Sequence, residues 1–236
     1  MELNRTNRFK DASWFPKDDI ECIVGGSGGI GGWVSLFLSR ANFKPIIYDA
    51  DTVEEHNIGG QCFKINSIGK PKVEAIAEVI KEFVGEDVTT FNEWYTKDSM
   101  SSHFMFSGFD NMSARKVFFE NWVEYAKEFK LEQDNLKKLN PEHIVIEPLF
   151  IDGRLGFANL EIYCITLDKI EEYKKTLFDD SEVEDLPCTA KQTTHCAAMI
   201  ASHMVGFFTN HMHNIYVQDK DFKVPSEWSY IIPLNK

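Results

Sequence analysis

No CxxC pair occurs among the five cysteines, Cys22, Cys62, Cys164, Cys188 and Cys196. An odd, scattered set suits neither a disulfide framework nor a zinc knuckle, so a reducing compartment and no zinc are expected. Long apolar runs are missing too. Nothing approaches the roughly 20 residues of a membrane span, and the N-terminal MELNRTNRFKDASW carries no apolar signal core. A soluble, cytoplasmic protein without a membrane partner is expected. Basic residues are scarce, 25 Lys and Arg against 37 Asp and Glu, for a formal net charge of -12. Long-range repulsion then opposes free association with DNA, RNA or an anionic membrane, and any nucleotide must be held by a local cationic pocket.

Apolar residues make up 43% of the 236, enough for a sizeable core, and the length predicts a single domain over residues 1–236. Residues 21–25 (ECIVG) form an apolar run ending in glycine, and residues 30–41 place Trp33, Leu36 and Phe37 at helical spacing. The segment reads strand, glycine turn, helix, and residues 44–49 close the unit as a second strand. Residues 69–84 predict another amphipathic helix, followed by strands over 87–91 and 103–109 and a helix over 113–129. The polar stretch 132–140 is expected to be a surface excursion. After it come a strand over 143–147, an alternating run over 155–165, a helix over about 193–208 and an edge strand over 230–234.

Alternating strands and helices predict an α/β fold: a Rossmann-like, mostly parallel twisted sheet with helices on both faces. An N-terminal arm (1–19), a nucleotide-binding half (20–128) and an antiparallel sheet extension (142–236) are the expected parts. The loop Gly26-Ser27-Gly28-Gly29-Ile30-Gly31 fits G-x-G-x-x-G between a strand and a helix, where backbone N–H groups and the positive helix end can hold phosphate. Asp49 ends the next strand, where a carboxylate can accept from a ribose. Alone, the motif suits an NAD-dependent dehydrogenase equally well, or a glycine turn that serves only tight packing.

Further residues separate these readings: Asp49-Ala-Asp51-Thr-Val-Glu, Asn57-Ile-Gly-Gly-Gln61, Ile68-Gly-Lys-Pro-Lys72, and Phe109-Asp110-Asn111 with Arg115. In order and spacing they resemble the adenylation domain shared by the ThiF/MoeB/HesA proteins and the ubiquitin-activating enzymes. The resemblance implies ATP-dependent adenylation of the C-terminal carboxylate of a small ubiquitin-like (β-grasp) or sulfur-carrier protein, or of a peptide. It implies phosphate contacts from Asn57 and Lys72, support from Gln61, nucleotide contacts along Gly26, Gly28, Gly29, Gly31, Asp49 and Asp51, and Mg²⁺ on Asp110. The chemistry suits these types, since a carboxylate approaching a triphosphate needs cations and donors aimed at the developing charge. Lys72 could otherwise be a solvated helix-start lysine, and Asp110 the N-cap of the following helix.

The resemblance has a gap: the arginine usual before the glutamine is Gly60 here, leaving Arg115, Lys70 or an arginine from elsewhere to compensate. Arg5-Thr-Asn-Arg8 resembles the RxxR segment that reaches the other subunit's active site, which implies a homodimer with Arg8 acting in trans beside Arg5. Cys188-Thr189, followed by Thr193 and His195-Cys196, resembles the catalytic-cysteine segment of activating enzymes, with Cys188 poised for a thioester. Cys196 is expected in the core. Asp152 and Arg154 are expected to pair internally beside the crevice. The compact length and missing zinc pairs resemble a prokaryotic or phage member. Two other readings remain, a nicotinamide-dependent oxidoreductase and a non-catalytic scaffold whose pocket has degenerated at Gly60.

Overall fold

The computed structural model describes residues 5–156, 159–182, 193–219 and 221–231. One seven-stranded sheet runs through it. The elements are β1 (Glu21–Gly25), α1 (Gly29–Arg40), β2 (Lys44–Tyr48), α2 (Lys72–Val84), β3 (Thr89–Phe91), β4 (Phe104–Ser107), α3 (Met112–Leu139), β5 (Leu149–Gly156), β6 (Asn159–Ile165), α4 (Ile170–Lys174), α5 (Thr194–Val217) and β7 (Glu227–Ile231). Strand order is β3-β2-β1-β4-β5-β6-β7. The first five strands are parallel and the last two antiparallel. This is the Rossmann-like sheet with antiparallel extension that the sequence pattern predicts.

The period-two alternation of the strands sorts side chains onto two faces. Val24, Phe104, Phe106, Leu149 and Ile151 pack under α1 and α5 with Val34, Leu38, Met204 and Phe208. Ile23, Met105 and Phe150 face the other way, against Phe118, Phe119 and Trp122 of α3 and Tyr173 of α4. A third cluster seats α2, through Ile76 and Ile80, on Leu36 and Ile47. Strand order reverses at β1, with β2 on one side and β4 on the other, which opens a crevice at the carboxyl edge. Register brings Tyr48, Gly25, Ser107 and Asp152 into one row along that edge.

The second half departs from its sequence reading. α3 does not stop at residue 129 but runs unbroken to Leu139, so the polar stretch 132–140 is mostly helix. Gln133, buried within that stretch, explains this: its Oε1 accepts from the backbone N–H of Ile146 (3.2 Å) and lies 3.0 Å from Nε2 of His143. With its backbone served by a side chain, residues 143–147 form no strand, and the fifth strand begins at Leu149. The alternating run is split between the end of β5 and β6. α5 ends at Val217, nine residues beyond its predicted end, and the edge strand lies at Glu227–Ile231. No helix among the described residues is long and apolar enough to cross a membrane.

Candidate functional site

The shape of the glycine loop is set by its own residues. Gly26 takes φ +81°, a left-handed conformation that favours glycine, and a Cβ on Gly31 would lie 1.7 Å from the Gly26 carbonyl oxygen. Gly28 is the N-cap of α1 and has no side chain to offer. Gly29 opens the helix, and the first turn carries no acidic residue. Its N–H groups and positive end therefore face the crevice without a side-chain partner. Asp49, at the tip of β2, is nearly buried and accepts from the Ser27 N–H (2.6 Å) and hydroxyl (3.0 Å) through Oδ2. Its Oδ1 accepts from the Asp51 N–H at 2.8 Å. The carboxylate so holds the glycine loop against β2, a role that the sequence spacing alone does not announce.

The residues after β2 fold back onto this loop. Lys72, at the start of α2, is 9% exposed and donates from Nζ to Asp51 Oδ2 at 2.7 Å, so it is no solvated surface lysine. Asn57 is buried in a 3-10 turn (Glu55–Asn57), its Oδ1 accepting from the Glu54 N–H at 2.8 Å. The Gln61 N–H donates to the Asn57 carbonyl at 2.9 Å. Gln61 turns its amide towards Gly28, 3.8 Å from where a Cβ would stand, and its buried Oε1 has no hydrogen-bond partner among the described residues. A buried acceptor left without a donor is costly, and a ligand donor would relieve it.

The two compensating cations suggested for the Gly60 gap are both engaged. Lys70 pairs with Glu78. Arg115 is buried against Asp152, which also accepts from Arg154 Nε (2.8 Å) and the Tyr173 hydroxyl (2.9 Å). Burial pulls the Arg115 guanidinium down to about 10, so it stays charged at neutral pH. The Gly60 loop instead meets α5: the Thr194 hydroxyl donates to the Gly59 carbonyl at 2.6 Å.

At the tip of β4, Asp110 is exposed and, among the described residues, accepts only from Asn111 Nδ2, at 3.3 Å. The α3 N-cap is Asn111, which accepts from the Ala114 N–H at 2.8 Å, so the capping role considered for Asp110 belongs to its neighbour. Asp110 is thereby left with open lone pairs. Sequence reasoning missed Asp180, whose carboxylate accepts from the N–H groups of Met112 (2.5 Å) and Ser113 (3.0 Å) and from the Ser113 hydroxyl (2.9 Å). The Met112 bond chiefly holds its carboxyl below the usual range. Sixty-eight residues separate Asp180 from Met112, and no local pattern signals the contact. No group of three metal-ligating side chains occurs among the described residues. Magnesium needs only one or two carboxylates beside phosphate oxygens, which a lone open Asp110 fits.

The expected trans-acting arginine segment lies apart from this edge. Arg5 donates to the Ser39 carbonyl (3.1 Å), Asn42 (3.0 Å) and Glu86 (2.8 Å), at the far end of α1 from the glycine loop. Within this chain it is a structural anchor, and Arg8 is exposed nearby. Cys188 lies outside the described residues. Cys196 is buried, as expected, and burial raises the Cys62 thiol to about 11.

Solved structures share this fold at low identity. PaaA superposes with a TM-score of 0.58 at 16% identity, covering 90% of this chain and 64% of PaaA. E. coli MccB crystallised with ATP gives 0.58 at 13%, covering 91% and 65%. This chain therefore spans somewhat less than two thirds of the length of either. E. coli tRNA N6-threonylcarbamoyladenosine dehydratase, TcdA, gives 0.62 at 15%, covering 91% of this chain and 95% of that one. Among curated proteins none matches the sequence. The family model described as ThiF matches residues 18–146, which is more than half of the chain and spans every element from β1 to α3. A glycine loop braced by Asp49, a buried Lys72 and an open Asp110 all fall inside that match, and the chain belongs to the ThiF family.

Proposed function

We propose that this protein is an adenylyltransferase that uses ATP to activate the C-terminal carboxylate of a small ubiquitin-like (β-grasp) protein or a peptide. The observation that carries the reading is the convergence of Lys72, Gln61 with its unpartnered Oε1, and the open first turn of α1 on one edge of the sheet. E. coli MccB, which shares the fold, is crystallised with ATP and with MccA. In this reading the phosphates lie on the N–H groups of the Gly26 to Gly31 loop, with Asn57 and Lys72 beside them. Asp49 and Asp51 keep lone pairs for the ribose. Asp110 would hold a magnesium ion, which when bound neutralises phosphate charge. An oxygen of the incoming carboxylate attacks the α-phosphorus, the bond to the bridging oxygen breaks, and acyl adenylate and pyrophosphate form. Lys72 must exchange Asp51 for phosphate to act in this step.

In a homodimer, Arg8 of one subunit would add positive charge to the other's crevice. A thiolate at Cys188 would attack the acyl carbon and expel AMP, leaving a thioester. The test is exchange of labelled pyrophosphate into ATP, with a β-grasp protein or peptide as acceptor. Lys72→Ala and Asp110→Ala are expected to abolish exchange, and Cys188→Ala to spare it while removing a thiol-sensitive conjugate. A second reading, a scaffold that binds nucleotide or partner without chemistry, is favoured by Gly60 and by the engagement of Lys70 and Arg115. ATP binding by calorimetry without any exchange would establish it in place of the first.

A further inference from the structure

The tip of β4 is fixed from both sides. On one side Gly108 is wedged against the glycine loop: its N–H donates to the Gly25 carbonyl at 2.8 Å, and a Cβ on it would stand 2.9 Å from the Gly31 nitrogen. On the other side the Phe109 carbonyl, one residue before Asp110, accepts from Arg115 Nη2. The other arm of the same guanidinium, Nη1, donates to Asp152, to the Gly153 carbonyl (3.2 Å) and to Ser107 Oγ (3.4 Å). Arg115 is 4% exposed and Asp152 is fully buried. Asp152 in turn fixes Arg154, which donates to the Thr176 carbonyl and hydroxyl, both at 2.9 Å. Four residues beyond Thr176, Asp180 returns to the first turn of α3. The contacts close a ring around the only segment that carries Asp110.

We infer that Arg115, oriented by Asp152, is a positioning residue that sets the direction of Asp110 towards a divalent cation. The inference rests on the reading of Asp110 as the metal ligand. Outer groups that orient a ligand typically change metal affinity by about 10- to 100-fold when removed. Lysine cannot replace arginine here, because one ammonium cannot serve Asp152 and the Phe109 carbonyl as a planar fork does.

The experiment compares Arg115→Lys with the unaltered protein in two measurements: binding of a nonhydrolysable ATP analogue without metal, and binding of Mn²⁺ to the analogue-saturated protein, followed by electron paramagnetic resonance. The expected result is unchanged analogue affinity with a Mn²⁺ Kd raised roughly tenfold. Unchanged Mn²⁺ binding in a folded variant overturns the inference, and so does equal weakening of both ligands, which would mark a merely structural role. If Arg115→Lys fails to fold, Tyr173→Phe removes one of the donors to Asp152 and is expected to raise the Mn²⁺ Kd by a few-fold; no change overturns the inference. Asp110→Ala separates the two ideas. Loss of Mn²⁺ there with no effect of Arg115→Lys refutes the positioning role alone, while Mn²⁺ bound as tightly as before refutes the reading of Asp110 and the inference with it.

Discussion

Gly31 shows how little room a single position leaves. Its missing Cβ would meet a backbone oxygen at 1.7 Å, and no side-chain rotation can relieve that contact. Gly31→Ala is expected to cost about 3 kcal/mol, the upper end of overpacking, read as a lower urea midpoint with an unchanged slope. His103 supplies a second residue-scale expectation. Its ring stacks on Phe129 at 4.4 Å, and burial, with His211 adding to it, lowers its pKa from 6.5 to about 4. A depressed folded value means that the neutral ring is favoured in the fold. The stabilisation is present above pH 6.5 and disappears as pH falls towards 4. The loss is expected to be on the order of 3 kcal/mol at most, and His103→Phe should flatten that part of a stability-against-pH curve.

At the scale of elements, the Gln133 amide ties α3 to the chain after it, beside Lys137 on the His143 carbonyl and Lys130 on Glu147. Gln133→Ala leaves the Ile146 N–H without its acceptor and is expected to destabilise by roughly 1–3 kcal/mol, seen as faster amide exchange at Ile146. The same contact explains which elements were legible in the sequence. β1 to α2 declare themselves through glycine punctuation, helical spacing and apolar runs, all local signals. The extent of α3 and the onset of β5 were not legible, because they depend on Gln133 reaching thirteen residues ahead to Ile146. The site divides likewise. The glycine loop, Asp49, Lys72 and Asp110 stand in a readable order, whereas the Arg115 link to Asp152 and the Asp180 link to Met112 cross 37 and 68 residues. Gly60 was legible as a gap. That neither Lys70 nor Arg115 is free to fill it was not, since pairing with Glu78 and Asp152 is settled by packing.

Across the whole molecule, a net charge of -12 surrounds the crevice proposed to take an anionic nucleotide. Repulsion at a distance opposes arrival, and added salt screens it, with a Debye length falling from about 30 Å at 0.01 M to about 8 Å at 0.15 M. The apparent KM for ATP is therefore expected to fall over that range, opposite to a basic nucleotide-binding protein, as measured by pyrophosphate exchange across a salt series. Such a dependence isolates the global field, because the proposed phosphate contacts of Lys72 and Asn57 are too close to be screened equally. The clamp of Asp49 on Ser27 carries one more consequence. In the proposed function this braced loop is the phosphate cradle, and bracing by its own side chains leaves little backbone ordering to be done when a nucleotide binds. Capture should then proceed at the tempo of diffusion and charge rather than of chain rearrangement, so that stopped-flow traces rise in a single phase whose rate grows linearly with nucleotide concentration.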